Sequence, residues 1–168
     1  SLGVLGDVGI HIMDFASFAC DAVPVSIQAR LKTFDKAPGN KIGEYPLDAN
    51  DSFVSTVEFS NGALGIIQAS RFMTGHDNEL HLRVHGDKGA VEVKHFEGWT
   101  ELRMCLGENI HTMAWNHIKP TPVETNYRKF VTACVTGKNG DPDFRRAADL
   151  QKVLDQCFAN DGKGAVAV

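Results

Sequence analysis

Three ionisable side chains near the start of the chain have the spacing to do proton chemistry. In GVLGDVGIHIMDFASFACD (residues 3–21), Asp7, His11 and Asp14 stand four and three positions apart. On a helix advancing about 100° per residue they fall within about 60° of one another. An imidazole flanked by two carboxylates is a candidate acid/base. The neutral ring can take a proton near pH 7, and an adjacent carboxylate can fix its tautomer or relay the proton. In this reading His11 is the acid/base and Asp7 its partner, while Asp14 is a supporting residue that orients His11 or caps nearby backbone. The competing reading is a core histidine bonded within its own helix, with Asp7 a first-turn acid favoured by the helix dipole. Gly9 fits close approach of a ligand or simple helix packing. No metal is expected, because three ligands on one helix face strain the geometry that zinc or manganese takes.

The element carrying this seam is apolar almost all round. Leu5, Val8, Ile12, Phe15 and Ala19 form one stripe, and Ile10, Met13 and Ala16 fill much of the remainder. Such a helix is expected to be buried, with its narrow polar seam facing something polar.

Beyond Pro24, residues 25–34 alternate: Val25, Ile27, Ala29 and Leu31 on one face, Ser26, Gln28, Arg30 and Lys32 on the other. That predicts a half-buried strand. Residues 35–50, with two prolines and two glycines, read as a long loop. Residues 52–59 and 63–72 flank Ser60-Asn61-Gly62, a strong hairpin signal. A loop over 73–78 precedes two further strands, 79–86 and 90–96, joined by Gly86-Asp87-Lys88-Gly89. Weaker strands are expected near 100–106 and 110–116. Tyr127, Phe130, Val131 and Cys134 recur at helical spacing up to Gly137. A last helix runs from about Phe144 to Asn160 with Ala147, Leu150, Val153, Leu154, Cys157 and Phe158 as its core face. The tail GAVAV is a candidate edge strand. The order predicts an α+β fold: one mostly antiparallel, open-faced sheet with helices on one face. The opposite sheet face is a candidate oligomer surface.

At 168 residues the chain has room for one domain, or two small ones. A net charge of −4 without a basic stripe argues against a nucleic-acid binder. No apolar run approaches the roughly 20 residues of a membrane helix, and the start lacks a signal-peptide profile. Cys20, Cys105, Cys134 and Cys157 form no C-x-x-C pair and read as free buried thiols in a reducing cytoplasm. His81 and His85 stand four apart on a strand pattern, about 13 Å distant, and read as sheet-surface residues. Trp99 and Trp115 are expected to pack on the sheet. No strand leads into a glycine-rich phosphate loop, so nothing in these residues would hold a dinucleotide. The abrupt opening inside helix-forming sequence reads as a piece of a larger polypeptide.

G-V-L-G-D-V-G-I-H-I-M-D resembles the G-x-L-x-D-x-G-x-H-x-x-D signature of the glucose–fructose oxidoreductase, inositol dehydrogenase and rhizopine-catabolism (Gfo/Idh/MocA) family. F-S-N-G-A-L-G-I-I-Q-A-S-R-F and G-H-D-N-E-L-H-L-R-V-H-G-D-K-G-A-V are similar to that family's central strands, and F-R-R-A-A-D-L-Q-K-V-L-D-Q-C-F to its last helix. The resemblance implies a C-terminal substrate-binding and oligomerisation domain over residues 1–168, similar to the dihydrodipicolinate-reductase-like second domain of a two-domain enzyme. The N-terminal dinucleotide-binding (Rossmann) domain, with its catalytic lysine in Glu-Lys-Pro, would lie outside this chain. Asp35-Lys36-Ala37-Pro38 echoes that motif in the wrong region and inherits no role.

By the same resemblance His11 would sit beside the substrate hydroxyl whose carbon loses hydride to NAD or NADP, with Asp7 in support. Arg71 and His76 flank a loop that often lines the pocket in this family, which makes Arg71 a candidate substrate or supporting residue beside Asp14. The implied substrate is a sugar, inositol or related polyol, or the matching ketone. Expected partners are the missing domain and further copies of the chain through the sheet face, in the cytoplasm. This chain alone is expected to be inactive. The rival reading is a non-catalytic binding or dimerisation module of the same fold.

Overall fold

The first helix contains an irregularity that regular periodicity does not anticipate. In a computed structural model, which describes residues 2–164 and 166–168, Leu5–Gly9 form a π turn that runs directly into α1, Ile10–Cys20. The strands follow in chain order: β1 Pro24–Lys32, β2 Lys41–Ile42, β3 Tyr45–Pro46, β4 Ser52–Phe59, β5 Leu64–Ser70, β6 Leu80–Gly86, β7 Gly89–Phe96 and β8 Trp99–Leu106. After them come α2 Asn109–Thr112, β9 Asn116–Ile118, α3 Asn126–Thr136, α4 Phe144–Ala159 and β10 Val166–Ala167. The fold is α+β and every strand pairing is antiparallel, as expected.

The chain divides into two compact units. The first takes the chain as far as Gly75 together with Ala148–Val168, and its sheet has the order β10-β1-β4-β5. Alternation does the sorting here. Phe53, Ser55, Val57 and Phe59 of β4 are buried, while Val54, Thr56 and Glu58 point outward. Ser55 is tolerated inside because its hydroxyl donates to the Ile67 carbonyl at 3.1 Å. The Asn61-Gly62 hairpin forms as expected, and Asn61 also donates to the Cys20 carbonyl at the end of α1. α4 buries Leu150, Val153, Leu154 and Cys157. Leu154 reaches the π turn: a Cβ on Gly9 would lie 3.5 Å from its Cδ2.

Several local expectations are corrected. A bulge between Pro24 and Ser26 turns Val25 outward and Pro24 inward, since one extra residue reverses the pleat. The stretch 35–50 contains the β2–β3 hairpin and a 3-10 turn at Pro38–Asn40 rather than loop throughout. Where a strand was expected over 110–116, the chain makes α2 and then β9. Gly107 and Met113, both at positive φ, break the extended backbone there. Of the four free thiols Cys105 and Cys157 are buried, but Cys134 is exposed on α3. Burial pushes the Cys157 thiol up to about 11. Tyr127, Phe130, Val131 and Val135 of α3 are all exposed, so its apolar stripe is not core.

The second unit, His76–Ala147, holds the sheet β6-β7-β8-β9. Its register sets Arg83, Glu92, Arg103 and His117 side by side across four strands. The Glu92 carboxylate is buried under cations. It contacts His81 Nε2 at 2.7 Å, Arg83 Nε at 3.0 Å and the Arg103 guanidinium, which also lies over the Trp115 ring. His81 is thus a carboxylate partner as well as a sheet-surface residue. Trp99 stacks on Phe96 at 4.6 Å and stays half exposed.

Burial pushes the Glu92 carboxyl up, but Arg103, His81 and Arg83 outweigh it and hold the group at about 2, against an ordinary 4.5. A depressed carboxyl stabilises the fold fully above pH 4.5, and the contribution fades as pH falls toward 2. The partners that cover it are themselves partly exposed, which screens the interaction. We expect Glu92→Gln to cost about 1–2 kcal/mol at pH 7. Urea unfolding of the variant should depend less on pH between 4.5 and 2 than that of the parent chain. Parallel curves would show that Glu92 carries none of the acid sensitivity.

Candidate functional site

Asp7 lies in the π turn and His11 in the first turn of α1, so the spacing between them is not that of a regular helix. π turns cost hydrogen-bond quality and recur where a side chain must be aimed. Both residues are exposed and Asp14 is half-buried. The expected burial of this helix holds on one side only, and its polar seam opens to solvent. Val4, Leu5, Gly9, Met13 and Ala16 take the buried side, which leaves Asp7 and His11 facing outward.

The Asp7 carboxylate is engaged by Arg71, not by His11. Arg71 Nη2 donates to Asp7 Oδ2 at 2.8 Å. The pair is open to solvent, with side-chain exposures of 55% and 66%. The structure thus brings together two of the expected site residues from positions 64 apart in sequence. Among the described residues the His11 ring has no hydrogen-bond partner, and Asp7 Oδ1 accepts no bond. His76 is held by Glu79 at 2.9 Å within the second unit.

Two residues that sequence reasoning passed over build the ground beneath this pair. Asn50 anchors the start of the motif helix. Its carbonyl accepts from Val4 N–H at 2.8 Å, its Oδ1 accepts from Leu5 N–H at 2.9 Å, and its Nδ2 donates to the Leu2 carbonyl at 2.8 Å. Gly3, at φ +60°, passes so close to Asn50 that a Cβ there would meet its backbone. Asp51 donates its N–H to the Lys32 carbonyl and accepts from Arg71 N–H, each at 2.8 Å. Its carboxylate takes Phe34 N–H at 2.9 Å and Lys36 Nζ at 2.8 and 2.9 Å. Burial pushes this carboxyl up, but the Lys36 ammonium and the Phe34 amide outweigh it and hold the group below the usual range. Lys36 is therefore an ion-pair partner inside this unit. The only sequence signal for this junction was a polar pair at the entrance to a strand.

An open cavity of about 350 Å³ in the same unit is lined by Arg30, Lys32, Ser52, Gln68, Ser70 and Met73, and by none of the four candidate residues. No helix among the described residues is long and apolar enough to cross a membrane.

Residues 1–92 match the model of the GFO/IDH/MocA C-terminal domain. Levoglucosan dehydrogenase of Pseudarthrobacter phenanthrenivorans is 25% identical over 121 residues, covering 64% of this chain and 30% of that protein. Inositol 2-dehydrogenase of Rhizobium meliloti is 37% identical over 91 residues, covering 53% of this chain and 25% of that protein. A solved levoglucosan dehydrogenase in complex with NADH superposes with a TM-score of 0.81 at 22% identity, over 99% of this chain and 50% of that one. That last likeness carries the fold. The chain spans 30% and 25% of the two curated relatives and half of the solved chain.

Proposed function

The chain belongs to the GFO/IDH/MocA family, and from that premise we propose that it is the C-terminal substrate-binding domain of a two-domain NAD(P)-dependent oxidoreductase. Its substrate class is a sugar, inositol or related polyol oxidised at a secondary alcohol, or the matching ketone reduced. The observation that carries this reading is the Asp7–Arg71 pair standing open to solvent on the π turn, with His11 exposed in the adjoining first turn of α1. An ion pair so exposed adds at most about 1 kcal/mol to the fold. Its remaining donors and acceptors face solvent, where vicinal hydroxyls can use both kinds.

In this reading His11 takes the proton of the reacting hydroxyl during oxidation and returns it during reduction. Asp7 Oδ1 accepts from a neighbouring hydroxyl while Arg71 holds Oδ2, which orients the substrate without consuming the proton carrier. Asp14, half-buried one turn along α1, supports the ring.

The residues present do not fit a dinucleotide. All described strand pairs are antiparallel, and no described strand passes through a glycine-rich turn into a helix N-terminus. The NAD or NADP site is therefore assigned to a companion domain, and the chain's own part is substrate orientation and proton handling. A site completed by that domain also fits a seam that stands open to solvent in this chain. The protein would work in the cytoplasm, as a homo-oligomer through the outer face of the β10-β1-β4-β5 sheet.

That face supports one rival. Leu64 and Ile66 are 83% and 75% exposed on it, which suits a dimerisation module without catalysis. Screening the full-length protein against a polyol panel with NAD and NADP separates the two readings, since only the enzyme turns over. Calorimetry of the 168-residue chain with NADH and NADPH should register no binding. Micromolar affinity would overturn the division of labour between domains.

A further inference from the structure

Among the described residues no hydrogen bond joins Asn50 or Asp51 to His11 or to the Asp7 side chain, yet their bonds reach the turn that carries Asp7 and the backbone of Arg71. Both are buried, at 6% and 4% exposure. Asn50 holds residues 2, 4 and 5, directly before Asp7. Asp51 holds residues 32, 34 and 36 on one side and the backbone of Arg71 on the other. The bonds are buried or part-buried, so giving them up to water is costly and the segments they join have little freedom to drift.

We propose that the Asn50-Asp51 pair is the positioning element of the acid/base site. It locks the turn carrying Asp7 and the strand end carrying Arg71 into one registration, and Lys36 is the counter-ion that keeps Asp51 in place. The inference rests on the reading of Asp7 and His11 given above. Its logic is covalent reach. The two residues are adjacent, so a displacement of Asp51 moves the Arg71 main chain directly, while Asn50 keeps the motif turn fixed. Arg71 then meets Asp7 at a different angle, and a substrate hydroxyl on Asp7 Oδ1 loses its alignment.

Asp51→Asn keeps the shape but turns one acceptor oxygen into a donor that faces either the Phe34 N–H or the Lys36 ammonium. In the full-length protein we expect it to lower kcat about 10- to 100-fold with the cofactor KM unchanged. Arg71→Met should do the same. The double variant should be no slower than Arg71→Met alone, because Asp51 acts through Arg71. Losses that multiply, or a folded Asp51→Asn protein with unchanged kcat, would overturn the proposal. Should Asp51→Asn not fold, Lys36→Met takes its place in the same cycle with the same expectation. His11→Ala run in parallel keeps the two ideas apart. If His11→Ala abolishes turnover while Asp51 and Arg71 are independent, positioning fails and the site reading stands. If His11→Ala is fully active, the site reading itself fails.

Discussion

His11→Ala in the full-length protein is expected to lower turnover by about 10²- to 10⁴-fold, the usual contribution of a positioned general acid/base. The His11 ring is exposed and bonds to no described group. Nothing else in the fold depends on it, so the melting temperature should stay within about 2 °C. Cofactor affinity should also be unchanged, because no residue of this chain is assigned to the dinucleotide. A fall in kcat and in kcat/KM together, with the fold and cofactor Kd intact, identifies a group that acts in the transition state. Unchanged turnover would remove His11 from the mechanism and leave the dimerisation reading in possession.

The largest expected effect on stability comes from Leu154→Ala. Leu154 is 1% exposed on α4 and lies against Gly9 at the end of the π turn. Truncation removes three carbons from a packed interface and leaves a void that neighbouring Leu5, itself fully buried, can only partly fill. The cost is about 3 kcal/mol, and the thermal midpoint should fall by about 10 °C. Denaturant unfolding of the variant chain measures it. A loss below about 1 kcal/mol would mean that the site collapses without penalty and that α4 does not brace the motif helix.

What could be read beforehand was the part of the fold that depends on neighbours in sequence. β4, β5, β6 and β7 follow from alternation, and the β4–β5 turn from Asn61-Gly62. Asp7, His11 and Arg71 were legible as residue types, and the pairing of Asp7 with Arg71 joins two of them. The rest depends on register and on long reach. Glu92 looked like one more polar residue on an alternating strand until the pairing of β6, β7 and β8 set Arg83 and Arg103 beside it. Asn50 finds its partners 45 to 48 residues away, a distance no local pattern reports. The bulge at Pro24 and the π turn each change the count by one residue, and that defeats any argument built on constant period. α3 misleads for another reason: its stripe has helical spacing, but in this chain the stripe faces out.

The π turn sets a limit on how the motif can be transplanted. An ideal α-helix over Leu5–Gly9 would set Asp7 and His11 about 40° apart about its axis, and the wider π turn does not keep that angle. A designer who copied the letters D-x-x-x-H onto an ideal helix would inherit the spelling without the aim. Any graft must bring the wide loop of backbone along with the two side chains.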